Sequence, residues 1–518
     1  MAMDLILANL PKDVGYRLET ERVSALAYAD DLVLLAGSKV GLQSSINAVD
    51  KYGQMMGLRL NHTKSSALSM VPDGKRKKVH FLSDRTFRIG KRWLKQVSCV
   101  ERWRYLGVDF ESNGAVTIEH SIKGALTNIG KAPLKPQQRL EILRTHLIPR
   151  FLHGLVLGVI SEDRLRVLDV QIRTTIRKWL RLPMDVPTAY FHAASKDGGL
   201  AIPSLRAWVP DLVLRRYGAL ERSEWSVARA AAKSDRIRKK LQWAEKHYTK
   251  FSREDPETGT RSVSLYWKEK LHTSVDGFEL RESSKCSAST SWIRDIDMRY
   301  TGRDYVQFVH THINALPSRV RNSRGRRDGD ESKLNCRAGC MTRETTTHTI
   351  QQCFRTHGGR ILRHNKIAKV LCSAMVEEGW TVEEEPKINT AIGLRKPDII
   401  AVRGGEGMIV DVQVVTGQRP LDDAHREKRA KYGNHDELVE KVAGKLGLSK
   451  THVRATSCTL SWRGVWSFGS FKELKKLLGL KKDVLHTLPI LALRGSHLNW
   501  SRFNKMTTRY SDRRGEST

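Results

Sequence analysis

The 518-residue chain has no long apolar run and no recognisable export signal. No apolar stretch approaches the 18 or more residues of a transmembrane helix, so we expect no membrane span and no membrane partner. The N-terminus lacks a basic segment followed by a long apolar core, which is the pattern of a secretory signal. We therefore expect an intracellular protein.

Cysteine is scarce, with seven residues that are unevenly spread. An odd number without regular spacing argues against a disulfide framework and favours reduced thiols, with one local cluster available for a metal. The length allows about three or four domains, each able to bury a core of its own.

Acidic residues are in deficit, 56 against 90 lysines and arginines, which gives a net charge of +34. Such an excess indicates a polyanionic partner, and nucleic acid is the leading candidate. Each basic run by itself is typical of a solvated face, but their sum needs a counter-charge. The runs are Lys75 to Lys78, Arg236 to Lys240 and Arg319 to Arg327.

Near the start, Tyr28-Ala29-Asp30-Asp31 stands between two apolar runs, Val23 to Ala27 and Leu32 to Ala36. This pattern predicts a β-hairpin whose tip offers two adjacent carboxylates. Mg²⁺ takes one or two protein carboxylates and completes its shell with substrate phosphates and water. The chemistry indicated is two-metal nucleotidyl transfer at Asp30 and Asp31; ordinary turn chemistry is the alternative.

Three further features follow in order. They are a helix predicted over Val40 to Met56, the stretch Gly57-Leu58-Arg59-Leu60-Asn61-His62-Thr63-Lys64-Ser65 and the stretch Trp103 to Val108. With the Asp30-Asp31 hairpin, this series resembles the palm of reverse transcriptases. The resemblance implies Mg²⁺ or Mn²⁺ at the aspartates, Lys64 near the incoming triphosphate and a primer-grip hairpin at Trp103. Such palms also use fingers and a third carboxylate from an earlier strand, but only 27 residues precede Tyr28. We expect the C-terminal part of a longer polyprotein, without polymerase activity as it stands.

The middle of the chain predicts helices. Apolar spacing from Ile118 to about Leu205 indicates a helical bundle, and Ile176 to Pro203 resembles the thumb of non-long-terminal-repeat retrotransposon polymerases. From Ala207 to Arg327 charged amphipathic helices alternate with polar breaks. This stretch is interpreted as a linker that contacts RNA or DNA; a simple spacer is the alternative.

Three thiols and one imidazole follow within eighteen residues, at Cys336, Cys340, His348 and Cys353. This donor set suits a closed, tetrahedral, structural Zn²⁺ site. His357 and His364 follow closely, so the identity of the fourth ligand stays open. The segment resembles the zinc knuckle that precedes the endonuclease in the same retrotransposon proteins.

Two β-type runs joined by Gly404-Gly405 each bring one aspartate, Asp398 and Asp411, into apolar surroundings. Buried carboxylates are costly unless they are paired or bind a cation, so we expect both to be ligands of Mg²⁺ or Mn²⁺. On the predicted helix Leu421 to Tyr432, Lys428 and Lys431 share a face. Two aspartates and a lysine are the minimum set for metal-dependent phosphodiester hydrolysis.

This arrangement resembles the restriction-like PD-(D/E)xK nuclease fold, although Gln413 stands where the motif lysine is expected. In the retrotransposon version the lysine comes from the following helix, a role that Lys428 fits best and Lys431 second. An ordinary hairpin with surface aspartates is the alternative.

Together these features predict a multidomain α+β protein that resembles the Pol polyprotein of a site-specific retrotransposon of the R-two class. The resemblance implies a nuclear enzyme that nicks chromosomal DNA and primes reverse transcription of element RNA there. A domesticated or truncated nucleic-acid-binding protein and a stand-alone nuclease are the alternatives. The predicted segments are a partial palm (1–115), a helical thumb (116–206), a basic linker (207–330), the knuckle (331–366), an α/β nuclease (367–493) and a flexible tail (494–518).

Overall fold

The computed structural model describes residues 2–82, 84–111, 122–296, 300–325 and 331–512. The chain forms two compact units. One comprises Met1–Ala125, Leu147–Val170 and Ser204–Arg253, and the other Leu126–His146, Gln171–Pro203 and Glu254–Thr518. These units cut across the predicted thumb and linker, so the functional names of those segments stay predictions. None of the helices within the described ranges is both long and apolar enough to cross a membrane.

The first part of the chain consists of short strand pairs around one long helix. Its elements are α1 (Ala2–Ala8), β1 (Tyr16–Leu18), β2 (Glu21–Val23), β3 (Ala25–Tyr28), β4 (Asp31–Leu34), α2 (Lys39–Met55), β5 (Ser66–Ala67), β6 (Met70–Asp73), β7 (Lys78–Phe81), β8 (Arg88–Ile89), β9 (Arg92–Trp93), β10 (Lys95–Gln96), β11 (Trp103–Tyr105) and β12 (Val108–Phe110). Ser38 caps α2 by accepting a hydrogen bond from the Gly41 amide. Ile46 and Val49 of α2 bury into two neighbouring apolar clusters, which confirms the predicted helix.

Residues 122–296 and 300–325 are mainly helical, as the apolar spacing predicted. Their elements are α3 (Ile122–Lys131), α4 (Pro136–Ile142), a π turn (Leu143–Leu147), α5 (Ile148–Leu157), α6 (Glu162–Leu180), α7 (Thr188–His192), α8 (Leu205–Glu221), α9 (Ser226–Ala232), α10 (Asp235–Lys250), β13 (Arg253–Glu254), β14 (Arg261–Ser262), α11 (Val263–His272), α12 (Gly302–His312) and α13 (Arg319–Asn322). Leu165, Ile172 and Ile176 of α6 are fully buried, so the predicted apolar stripe does pack inward.

The last part of the chain is built on a four-stranded sheet with the order β15-β18-β19-β20. Its elements are a π turn (His348–Gln352), α14 (His357–Glu377), β15 (Thr381–Glu384), β16 (Ile388–Thr390), β17 (Gly393–Arg395), β18 (Ile399–Arg403), β19 (Glu406–Val415), α15 (Leu421–Gly433), α16 (Asp436–Leu446), β20 (Val453–Ser461), α17 (Phe468–Leu477) and α18 (Lys482–Asp512). Strands β15, β18 and β19 are antiparallel neighbours, and β20 runs parallel to β19.

Both faces of this sheet are covered by helices, because alternate residues of β19 belong to different cores. Val410 and Val412 pack with α14, α17 and α18, whereas Ile409 packs with Tyr432 of α15 and with α16. Asp411 therefore lies on the face that α15 covers. An α/β arrangement of this kind agrees with the fold class predicted for this part of the chain.

The prediction of a flexible tail from residue 494 is wrong as far as Asp512, because α18 continues to that residue. Ser496, Asn499, Phe503 and Thr507 are buried at helical spacing along it. The arginine- and serine-rich composition suggested flexibility, but this spacing gives the helix a face that packs. Residues 513–518 lie outside the described part of the chain.

Candidate active site and metal centre

The two aspartates of the predicted nuclease face each other across neighbouring strands. Ile399 of β18 is paired with Val410 of β19 in antiparallel register, and the same register continued by one residue sets Asp398 opposite Asp411. Opposed residues of such a pair have Cβ atoms about 4.5–5.5 Å apart. Asp398 immediately precedes β18 rather than lying in it. Two like charges this close are costly unless a cation lies between or beside them.

Each carboxylate is also fixed by a contact from another element. One oxygen of Asp398 accepts a hydrogen bond from the Val412 amide at 2.6 Å, and the other lies 3.0 Å from Nε2 of His364. Oδ2 of Asp411 lies 2.5 Å from Nζ of Lys428. Asp411 is only 3% exposed, so its charge is almost fully removed from water. The pair is thus held in place and only partly neutralised.

His364, on α14, was considered in the sequence only as an alternative zinc ligand. In the structure it donates to Asp398, and this hydrogen bond raises the pKa of the imidazole although burial acts in the opposite direction. The two residues are 34 positions apart on different elements. No local spacing in the sequence could have indicated this contact.

The two candidate lysines differ in their surroundings. Lys428 forms the ion pair with Asp411, whereas Lys431 is exposed and its ammonium lies 5.1 Å from the ring centroid of Tyr432. Burial, and then the negative charge of Asp411, raises the pKa of the Tyr432 phenol above its ordinary value. Tyr432 therefore belongs to the site, although the sequence gave no reason to single it out.

Gln413, which stands where the motif lysine is expected, has a clear contact pattern. Its side-chain amide donates to the Ala424 carbonyl at 2.9 Å and to the Thr459 hydroxyl at 2.8 Å. Ala424 is on α15, one turn before Lys428. Gln413 therefore ties the helix that carries Lys428 to strands β19 and β20.

The donor set of this site fits a hard divalent cation. Two opposed carboxylates supply oxygen ligands of the kind that Mg²⁺ and Mn²⁺ prefer, and Asp411 is almost completely buried with Lys428 as its ion-pair partner. Asp398 and Asp411 are the residues that would hold Mg²⁺ or Mn²⁺.

The Cys336, Cys340, His348 and Cys353 ligand atoms come together, all within 4.8 Å of one another. The sulfur of Cys353 lies 3.9 Å from that of Cys336 and 3.5 Å from that of Cys340. Thiolates bound to one Zn²⁺ at about 2.3 Å in tetrahedral geometry are themselves about 3.8 Å apart. Among the histidines considered in the sequence, the geometry favours His348 over His357 and His364.

The imidazole of His348 is oriented for binding a metal. Its Nδ1 lies 3.2 Å from the Thr342 hydroxyl, while its buried Nε2 has no hydrogen-bond partner within the described ranges. Burial, followed by the neighbouring thiols, raises the pKa of Cys353 to about 12. A bound metal ion would lower this pKa, because it stabilises the thiolate form. The residues present therefore fit Zn²⁺.

The cluster is supported by an ion pair with a buried carboxylate and by α18. Glu344 is fully buried and binds Arg337 through both carboxylate oxygens, at 2.9 and 3.0 Å. Phe503 of α18 packs against Cys336 and Cys353. Helix α18, part of which the sequence suggested to be flexible, therefore forms one wall of the Cys/His cluster.

The predicted palm residues are placed on the other compact unit. Tyr28 pairs with Asp31, so Ala29 and Asp30 form the turn of the β3–β4 hairpin, and both aspartates are exposed. Tyr105 of the predicted primer-grip hairpin has a raised pKa, mainly from burial and additionally from the charge of Asp31. Lys64 is exposed in the turn that Asn61 closes. Within the described ranges, no hydrogen bond or ion pair joins Lys64 to either aspartate.

The chain is similar along most of its length to proteins of mobile elements. The retrovirus-related Pol polyprotein from type-1 retrotransposable element R2 of Nasonia vitripennis is 40% identical over 512 residues, 99% of this chain and 48% of the relative. That from type-2 retrotransposable element R2DM of Drosophila melanogaster is 35% identical over 96% of this chain and 46% of the relative. The chain thus spans about half the length of these two proteins.

A shorter type-1 R2 Pol polyprotein of Popillia japonica is 31% identical over 449 residues, which are 85% of this chain and 89% of that relative. The chain matches no profile of a known protein family.

Proposed function

The chain belongs to the retrovirus-related Pol polyproteins of R2 retrotransposable elements, and from this premise we propose that it nicks DNA at the Asp398–Asp411 site. The observation that carries the proposal is the opposition of these two carboxylates with Lys428 at hydrogen-bond distance from one of them. A buried carboxylate and a partly buried one, opposed across two chain segments and contacted by a lysine, are suited to phosphodiester hydrolysis. They have little use as a purely structural feature, because they cost free energy.

In this proposal each residue has a separate task. A bound Mg²⁺ or Mn²⁺ supplies the polarisation of the scissile phosphate and of the attacking water. Asp398 and Asp411 hold the ion, while His364 and the Val412 amide keep the Asp398 carboxylate in a single orientation. Lys428 steadies the attacking hydroxide or the charge that develops on the phosphate. Gln413 positions α15 so that Lys428 can reach the site.

The fold around the site supports a restriction-like nuclease domain at about 367–493. A mixed four-stranded sheet with helices on both faces has Asp398 immediately before β18, Asp411 in the adjacent strand β19 and the lysine on the following helix. The zinc knuckle, proposed to hold one structural Zn²⁺ at Cys336, Cys340, His348 and Cys353, directly precedes α14. Phe503 of α18 packs against that centre, so α18 also contributes to this region.

We further propose that residues 1–115 are part of a reverse-transcriptase palm, with Asp30 and Asp31 as Mg²⁺ or Mn²⁺ ligands and Lys64 near the triphosphate. The order hairpin, helix α2 and Asn61–Ser65 turn supports this assignment. The nick in chromosomal DNA would then provide the primer for copying element RNA in the nucleus. Similarity along 99% of the chain to a Pol polyprotein favours this function over a stand-alone nuclease or a domesticated binding protein.

The proposal can be tested by the chemistry of the nick. A primer needs a free 3′-hydroxyl, so plasmid nicked by the purified chain with Mg²⁺ should incorporate labelled nucleotide when an unrelated DNA polymerase is added. Plasmid incubated with the chain in EDTA, then freed of the protein and returned to Mg²⁺ for the polymerase, should incorporate none, because the nicking step had no cation. Nicks that cannot be extended would exclude the priming function, and nicking in EDTA would exclude the metal-dependent mechanism.

A further inference from the structure

An apolar hairpin tip stands beside the proposed nuclease site. Strands β16 and β17 form a hairpin in which Thr390 pairs with Gly393, so that Ala391 and Ile392 form the turn. Ile392 is 66% exposed and Leu394 is 47% exposed. Two large apolar side chains at a solvent-exposed tip gain no burial free energy from the fold itself.

The turn is tied to helix α16 by hydrogen bonds. The Ala391 amide donates to both carboxylate oxygens of Glu437, at 2.8 and 3.1 Å, and the ammonium of Lys441 donates to the Asn389 carbonyl at 2.8 Å. Both partners are on α16. A turn anchored in this way keeps its position when it contacts a binding partner, whereas an unanchored loop would be displaced.

The hairpin is also close to the catalytic residues along the chain and in space. Only Lys396 and Pro397 separate β17 from Asp398, and the Tyr432 hydroxyl donates to the Lys396 carbonyl at 3.4 Å. Ile392 and Arg395 line an open groove of about 490 Å³ together with Lys431 and Asn434 of the α15 end. The exposed turn residue Ile392 and the candidate lysine Lys431 therefore border the same groove.

The charges of this groove favour a nucleic acid as its occupant. Its two acidic residues are engaged, Asp436 with Lys450 at 2.7 Å and Glu437 with Lys441 at 2.8 Å. Arg395 has a buried Nε without a partner among the described residues, and Lys431 is exposed. Basic side chains suit phosphates, while exposed aliphatic side chains suit the faces of unstacked bases.

We infer that Ile392 and Leu394 form a wedge that enters the DNA base stack next to the scissile phosphate, with Arg395 and Lys431 on the flanking backbone. The inference rests on the proposed nuclease function and gives it a substrate preference. The enzyme opens one base step of a duplex before cleaving it. Unstacking costs a few kcal/mol per step, and the apolar contacts offset this cost.

The wedge can be tested by binding and by cleavage, using the full chain. For binding, a linear duplex is treated with permanganate, which oxidises unstacked thymines, in Ca²⁺ to suppress cleavage. The wild type should make thymines at a few positions hyperreactive towards permanganate. With the double variant Ile392→Ala, Leu394→Ala, the reactivity of the same thymines should be within about twofold of their reactivity in free DNA. Val376→Ala is the matched control, because Val376 is an apolar residue of α14 with 57% exposure.

For cleavage, nick positions of the wild type are mapped and compared on a matched duplex and on one with a two-base mismatch at the mapped step. The double variant should nick the matched duplex about tenfold more slowly and the mismatched one within about twofold of the wild-type rate, because the mismatch removes the unstacking cost.

The wedge would be overturned if the double variant gave the same permanganate reactivity as the wild type, or if the wild type made no thymine hyperreactive. It would also be overturned if the double variant lost the same fraction of the nicking rate on both duplexes. The last result would mark the tip as a general docking contact. Hyperreactive thymines without any Mg²⁺-dependent nicking would instead refute the proposed nuclease function and leave the wedge standing.

Discussion

The ammonium of Lys428 lies 2.5 Å from Oδ2 of Asp411, an ion pair that joins helix α15 to the middle of strand β19. Asp411 is almost fully buried, so its charge has few other sources of stabilisation. Lys431, three residues further along the same helix, lies against Tyr432 and is exposed. The structure thus separates two lysines that the sequence left as alternatives.

Removing Lys428 should therefore cost more activity than removing Lys431. We expect Lys428→Ala to lower the rate of DNA nicking by about a hundredfold or more, the scale seen when one group that stabilises transition-state charge is deleted. Lys431→Ala should weaken DNA binding and change the maximal rate much less. Single-turnover rates measured at saturating protein separate the two effects. The reverse order of losses would make Lys431 the catalytic lysine.

Gln413 should matter for stability and for activity together. Gln413→Met keeps the length of the side chain but leaves the Ala424 carbonyl and the Thr459 hydroxyl without their donor, at a cost of about 1–3 kcal/mol in the free energy of unfolding. The control is Gln418→Met, since Gln418 is exposed. Urea unfolding followed by tryptophan fluorescence gives the midpoints. Equal midpoints for the two variants would show that Gln413 does not anchor α15.

The zinc centre should hold about one Zn²⁺ per chain. Cys340→Ser should abolish this metal content and expose residues 335–364 to proteolysis, because three ligands bind the ion far more weakly and metal binding is coupled to folding. Cys99→Ser is the control, since Cys99 is exposed and outside the cluster. Elemental analysis of the purified variants measures their zinc content per chain. Full zinc retention in Cys340→Ser would rule out this ligand set.

Much of this site could be predicted from local sequence, and the remainder depends on long-range packing. The helix α2, the Asp30–Asp31 turn and the Cys336–Cys353 ligand set follow from spacing alone, because their residues lie within one or two short elements. The contact of His364 with Asp398 joins two elements that are far apart in the chain, so it produces no periodic pattern in the sequence. The packing of Phe503 on the cysteines is also a long-range contact. The prediction for α18 rested on composition, which indicated flexibility and could not show this packing.

Binding of nucleic acid should be strongly salt-dependent and only weakly sequence-dependent. The net charge of +34 is spread over several basic segments, and each phosphate contact releases counterions on binding. We expect affinity for two unrelated duplexes to be similar and to fall by about tenfold or more between about 50 and 200 mM salt. Fluorescence anisotropy measures both. A dissociation constant that stays flat over this range would refute an electrostatic interface.

The most direct test of the account is Mg²⁺-dependent nicking of supercoiled plasmid by the wild type, by Asp398→Ala and by Asp411→Ala. Asp163→Ala is the control, because the Asp163 side chain is 86% exposed and forms a surface ion pair with Arg166. We expect nicking by the wild type and the control, and none by either site variant, since each would lose an oxygen ligand of the proposed cation that activates water and stabilises the leaving oxyanion. Robust nicking by Asp411→Ala would contradict the nuclease assignment.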